Sequence, residues 1–278
     1  MENTSQPLRV AFQGEHGAFS EDAACEMLPG PLELQSHAAL PSVFQAIESG
    51  QADCGVVPIE NSLGGSINQT YDLLLKHPLV IGAEYGLRVR HCLMALPGVP
   101  LAAIRRVYSH PQALAQCERY LEGLPGVELH AVYDTAGSAK LIAAEGLRDS
   151  AAIACFRAAG VYGLSVLAEG IEDHSQNTTR FIRIGREHGP RAERNKTSVV
   201  FGARHTPGAL FKSLAIFAIR DINLTKLESR PTKESPWQYL FYADFEGHAS
   251  DEPCRNALAH LAEISHFVKL LGSYPRTC

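Results

Sequence analysis

From Leu8 to Ile184 short apolar runs alternate with stretches of helical periodicity, and that order admits few arrangements other than an α/β fold with largely parallel strands. Leu8 to Phe12 and Ala52 to Val57 read as strands, and a helix follows Ser20. A further helix begins near Ile67 and carries Ile67, Tyr71 and Leu74 as a single apolar stripe. With 278 residues, 45% of them hydrophobic, the chain has material for about two domains. A formal charge of -5 gives no electrostatic footing for nucleic acid or an anionic membrane as partner, so neither is expected.

A second lobe is expected from about Leu79, through the alternating Tyr85, Leu87 and Val89, the run Cys92 to Ala95, and helices starting at Pro111 and Thr135. Arg186 to Lys196 has no apolar periodicity and contains a Gly-Pro breaker, which marks a linker. Beyond it the pattern runs strand (197–203), helix (Leu210 to Ala218), strand (222–228), strand (239–246), helix (Leu258 to Ile264) and strand (268–271). That β-α-β-β-α-β order is the ferredoxin-like one.

Several polar segments stand where strands give way to helices. Pro58-Ile59-Glu60-Asn61-Ser62-Leu63-Gly64-Gly65-Ser66 follows the buried run Cys54 to Val57, at the end of a strand where open α/β sheets bind small ligands. Gly14 to Ser20 offers two glycines and an expected N-cap at Ser20, but matches neither a dinucleotide fingerprint nor a P-loop. Ser109-His110-Pro111-Gln112 and Asp134-Thr135-Ala136 occupy two more such junctions, where hydroxyls either cap helices or face a ligand. In Asn177-Thr178-Thr179-Arg180-Phe181, Arg180 is either a surface residue or a carboxylate clamp, the task for which a guanidinium is best shaped.

No Ser/His/Asp triad and no metal-ligand spacing is visible, so neither a metal nor another cofactor is expected. The seven cysteines form no C-x-x-C pair and read as reduced core residues. The polar start Met1 to Gln6 lacks the charged and apolar regions of a secretory leader, and a cytoplasmic location is expected.

Taken together, the five polar segments resemble those of the prephenate dehydratase family, which includes arogenate dehydratases, in order and spacing. The resemblance extends from Leu8 almost to Tyr274. It implies a two-lobed catalytic region like a type 2 periplasmic binding protein over residues 7–185, with lobes 7–78 plus 155–185 and 79–154. A linker (186–196) and an ACT regulatory domain (197–276) follow. It also implies loss of carbon dioxide and water from prephenate to give phenylpyruvate. Thr179 would donate to the departing hydroxyl. Ser20, Asn61, Ser62, Gly65, Ser109, Gln112, Thr135, Arg180 and Phe181 would bind substrate, and Phe19 with Phe181 would form a dry wall.

In the ACT domain the segments Gly208-Ala209-Leu210-Phe211 and Glu228-Ser229-Arg230-Pro231 match the family's effector motifs. The resemblance implies L-phenylalanine as inhibitor, held by these residues with Asn223 and Leu224, in a homo-oligomer built as a dimer of dimers. Glu15-His16 departs from the small residue and proline of many relatives. With no chorismate mutase domain ahead of Leu8, the monofunctional form is expected. The rival readings are an arogenate dehydratase, which the motifs do not separate, and a non-catalytic amino-acid sensor.

Overall fold

The computed structural model describes residues 6–231 and 239–277. Contacts group the chain into two compact units, one containing residues up to 68 with 85–181, the other 69–84 with 182 onward.

The first unit carries two sheets. In the first sheet the order is Leu32–His37, Leu8–Gln13, Cys54–Asn61, Thr178–Gly185, Val80–Arg88, and a two-residue strand Gly65–Ser66 folds back on Glu60 and Asn61. Leu8–Gln13 pairs in parallel with both neighbours, and its centre, Val10, Ala11 and Phe12, is fully buried. Helices on both faces make such strands apolar throughout. Strands Val80–Arg88 and Thr178–Gly185 continue from one unit into the other.

In the second sheet the order is Ser165–Glu169, Cys92–Ala95, Ser150–Ala154, Arg106–Ser109, Glu128–Ala131. Alternation along its strands feeds two cores. Cys92, Met94, Ala152 and Ala154 pack with Ala139, Ile142 and Ala158, while Leu93, Ala95, Ala151 and Ile153 pack with Val107, Ala113 and Leu121. The chain changes sheets later than the sequence suggests. Val80–Arg88 belongs to the first sheet and Ser165–Glu169 to the second, so the crossings follow residue 88 and residue 169 rather than residues 79 and 155. Alternation identifies a strand but says nothing about which neighbour it pairs with.

The second unit is built on an antiparallel sheet ordered Leu224–Pro231, Tyr239–Glu246, Asn195–Ala203, Ser265–Pro275. With helices Ala209–Ala218 and Glu252–Ile264 it completes the expected βαββαβ order, around a core of Val199, Phe201, Phe217, Phe245 and Leu261. Helix Asn68–Lys76 belongs to this unit from Gln69 on. Asp72 meets Arg230 at 3.0 Å, and Lys269 donates to the terminal carbonyls of Leu74, Leu75 and His77, where a cation complements the helix dipole.

The six described cysteines are free thiols, five of them buried, and burial pushes Cys117 up to about 12. Cys278, read with them as a core residue, lies outside the described residues. No described helix is long and apolar enough to cross a membrane.

Candidate active site

A cavity of about 350 Å³ opens in the first unit, walled by strands of the first sheet and by the loops and helix starts that adjoin strands of the second. Its floor is the strand Thr178–Gly185, from which Thr179 and Phe181 reach the cavity. Across from them stands the start of helix Phe19–Met27. The N-cap there is Ala18, without a side-chain bond, so Ser20 sits inside the first turn rather than at the cap. The helix start turns its positive end and the Ser20 hydroxyl toward the cavity, although the first turn also carries Glu21 and Asp22, which are engaged by the Gly17 N–H and by Arg157. Gly17, at φ +84°, shapes the approach to this helix. A Cβ on it would come within 2.8 Å of the Ala158 backbone, so only glycine fits.

Asn61 organises the reacting end. Its Oδ1 accepts the N–H groups of Leu63 and Gly64 at 3.0 and 2.8 Å, which fixes the loop. Its Nδ2 donates to Asn177 Oδ1 at 2.7 Å and to Thr179 Oγ1 at 2.9 Å. Because the Thr179 oxygen accepts from Asn61, its own proton is left to point elsewhere. Among the described residues it donates to none. Gln112 closes the loop from the other lobe: a Cβ on Gly64 would lie 2.7 Å from its Nε2, so the Gln112 side chain packs directly on Gly64.

Of the residues expected at the site, Thr179, Ser20, Asn61, Gly65, Gln112, Thr135 and Phe181 line the cavity, as does Phe19. Three do not. Ser62 instead ties the loop to the neighbouring strand, accepting from Thr178 N at 3.0 Å. Ser109 is fully buried and donates to the Ile153 carbonyl at 2.7 Å. Arg180 is turned away because side chains alternate along a strand, which sends Thr179 and Phe181 one way and Arg180 the other. It is buried against Glu60 at 2.8 Å. The guanidinium expected as a clamp thus pairs with Glu60 and does not line the cavity.

Other wall residues stood in the sequence motifs without an assigned role, and His91 stood in none. Helix Thr135–Glu145 is capped by Asp134, not Thr135: Asp134 Oδ1 accepts the Gly137 N–H at 2.8 Å, and the carboxylate lines the cavity. Burial raises its pKa, aided by the nearby charge of Glu15. His91 is almost fully buried, shares a hydrogen bond with Gln116 Oε1 at 3.0 Å, and is pushed down by burial. Its ring meets Phe19 edge-on. His110 Nδ1 accepts the Gln112 N–H at 3.2 Å. At the rim Glu15 takes the Tyr133 hydroxyl and the Lys140 ammonium, each at 2.9 Å, and Lys140 draws its pKa down. The capping preference of aspartate was the legible sign for Asp134. His91, buried at the edge of an apolar run, gave none.

Among the described residues no group of three or more His, Cys, Asp or Glu side chains could hold a metal ion. The expected effector residues lie in the second unit. Gly208, at φ +75°, caps a helix that opens with Ala209, Leu210 and an exposed Phe211. Leu224, Glu228, Ser229 and Arg230 lie in the edge strand Leu224–Pro231, which continues through the motif rather than ending in a turn there. Asn223 donates to Glu246 at 3.2 Å.

A family model described as prephenate dehydratase matches residues 10–189. The arogenate dehydratase/prephenate dehydratase 2, chloroplastic, of Arabidopsis thaliana is 50% identical over 96% of this chain and 73% of its own length. Arogenate dehydratase 2 of Petunia hybrida is 49% identical, over 96% of this chain and 72% of its own. Among solved structures, a prephenate dehydratase from Arthrobacter aurescens in complex with L-Phe shares 35% identity at a TM-score of 0.89, covering 97% of this chain and 90% of that one. GqqA, described as a novel type of quorum quenching acylase, shares 33% identity at the same TM-score, over 97% and 98%.

These names overturn the expected cytoplasmic location, since several of the plant relatives are chloroplastic. That expectation rested on the composition of Met1 to Gln6, which bears on secretory leaders alone, and plastid address segments have a different composition. Matched over most of its length by the family model and by relatives at about half identity, the chain belongs to the prephenate dehydratase family.

Proposed function

We propose that the chain acts as a carbon–oxygen lyase on prephenate, releasing carbon dioxide and water to give phenylpyruvate. The C–C bond to the ring carboxylate breaks, its electron pair enters the ring, and the C–O bond to the 4-hydroxyl breaks as the ring becomes aromatic. The departing hydroxide needs one proton. The observation that carries the reading is the 2.9 Å bond from Asn61 Nδ2 to Thr179 Oγ1, which frees the Thr179 proton for that oxygen. A threonine hydroxyl is a weak acid, so Thr179 donates a hydrogen bond and relays a proton from solvent rather than ionising itself. Phe19 and Phe181 supply apolar surface on which a carboxylate is poorly solvated, which eases its loss.

Residues 7–185 form the catalytic region in this reading, 186–196 the linker and 197–276 the ACT domain. L-Phenylalanine binds the ACT domain and inhibits, within a homo-oligomer arranged as a dimer of dimers. Support comes from the L-Phe complex of the Arthrobacter relative and from the helix start at Gly208, a cap without a side chain, whose first-turn amides suit an amino-acid carboxylate. The acylase relative offers a second activity, but amide hydrolysis requires a nucleophile beside a base. The partner of Thr179 is an amide donor instead.

The test is turnover of prephenate and of arogenate by the purified protein, with and without phenylalanine. Formation of phenylpyruvate that phenylalanine suppresses is the expected result. Absence of turnover with either substrate, while phenylalanine still binds, would replace the enzyme with a sensor.

A further inference from the structure

We propose that Asp134 reads the amino group of the substrate: its carboxylate receives the ammonium of arogenate and so sets the chain's choice between arogenate and its keto counterpart, prephenate. This rests on the dehydratase reading above. Among the described residues, the cavity wall carries one carboxylate, Asp134, and neither a lysine nor an arginine. Prephenate would enter such a wall as a dianion, met by helix amides, hydroxyls and the side-chain amides of Asn61 and Gln112 rather than by a lysine or arginine. Arogenate carries the same two carboxylates and brings its own cation.

The surroundings of Asp134 leave that cation a place. Oδ1 is engaged by the Gly137 N–H, and Oδ2 faces Gly14, where a Cβ would stand only 3.0 Å from it. Only a glycine at position 14 lets Oδ2 lie this close, and the carboxylate lines the cavity. No lysine or arginine among the described residues forms an ion pair with Asp134. Lys140, the cation at the nearby rim, is held by Glu15 at 2.9 Å. His110 is turned to the Gln112 N–H, which its Nδ1 accepts at 3.2 Å. A partly buried carboxylate without a cation is unfavourable, and a ligand ammonium relieves it.

The substitutions Asp134→Asn and Asp134→Ser test this, because both residues also cap helices and the charge alone is lost. Arogenate and prephenate are assayed on the same preparation of each variant, so any loss of folded protein cancels in the ratio of the two kcat/KM values. The expected result is that both variants lower the arogenate-to-prephenate ratio about tenfold or more, the loss expected for a removed charged hydrogen bond. A ratio within about twofold of wild type in both variants would overturn the assignment, since a purely structural cap affects both substrates alike. Wild-type protein that converts prephenate but not arogenate would overturn it as well, while leaving the dehydratase reading intact. Wild-type protein that converts neither would end both.

Discussion

Strand Thr178–Gly185 brings to the cavity a hydroxyl whose proton is uncommitted, whereas strand Asn195–Ala203 in the second unit buries three polar side chains in succession and matches each of them. Lys196 meets Glu84 at 2.8 Å, Thr197 meets Ser273 at 2.7 Å, and Ser198 bonds both Asp244 and Tyr274 at 2.6 Å. Both strands bury polar atoms, but only one leaves a donor unspent. Saturated polar groups fix register and packing, while a group with spare capacity is available to a ligand. The contrast predicts that substitutions in the first strand change turnover more than stability, and the reverse in the second.

The largest effect is expected where a saturated pair is broken. Glu84→Ala leaves the Lys196 ammonium buried without its carboxylate, at 5% side-chain exposure. Loss of one partner from such a pair costs about 3–5 kcal/mol. Urea unfolding measures it, and a loss below about 1 kcal/mol would mean that the pair is solvated like a surface one. Next comes Asn61→Ala, which removes both the loop anchor and the bond that orients Thr179. Misplacing a reacting group by an ångström costs up to about a hundredfold. A kcat reduced about tenfold or more, at an unfolding midpoint near wild type, is expected; an unchanged kcat would mean that Thr179 orients itself.

Arg180→Lys sharpens the comparison from within the catalytic strand. Arg180 pairs with Glu60 and does not line the cavity, so the lysine, which keeps the charge, should leave KM for prephenate within about threefold of wild type. Were Arg180 the carboxylate clamp, loss of its fork would raise KM well beyond that, because the two cations are not interchangeable at a bidentate site. The smallest effect concerns pH. Burial raises the pKa of Asp134 in the folded chain, so the folded state binds a proton there more readily than the unfolded state. The resulting contribution favours the fold at acid pH and fades as pH rises through the folded value. Wild type should therefore gain stability relative to Asp134→Asn as pH falls through that window, and parallel stability curves would show that Asp134 is solvated.

The α/β alternation, the βαββαβ order and the polar strand-end loops were legible because each depends on local periodicity or turn chemistry. Thr179, Asn61 and Gln112 were legible as parts of motifs, and all three reach the cavity. Arg180 was misplaced because a motif lists neighbours in sequence, while a strand sends neighbours to opposite faces. Ser109 was misplaced because a buried hydroxyl satisfied by the Ile153 carbonyl looks the same in sequence as one facing a ligand. Asp134 stood in a motif without a role and His91 in none, because their places depend on two lobes meeting around one cavity, which no local pattern encodes. The lobe crossings shifted for the same reason: strand pairing is a long-range fact.

The central claim is that the Thr179 hydroxyl, aimed by Asn61, serves the departing oxygen. Its most direct test is kcat for prephenate in Thr179→Val and Thr179→Ser beside wild type, with unfolding midpoints measured on the same samples. Valine keeps the branched shape and removes the hydroxyl, so kcat should fall about a hundredfold or more, the usual worth of a positioned proton donor. Serine should restore a substantial part of it. A valine variant that keeps more than about a tenth of wild-type kcat would contradict the claim and move the proton's source to another wall of the cavity.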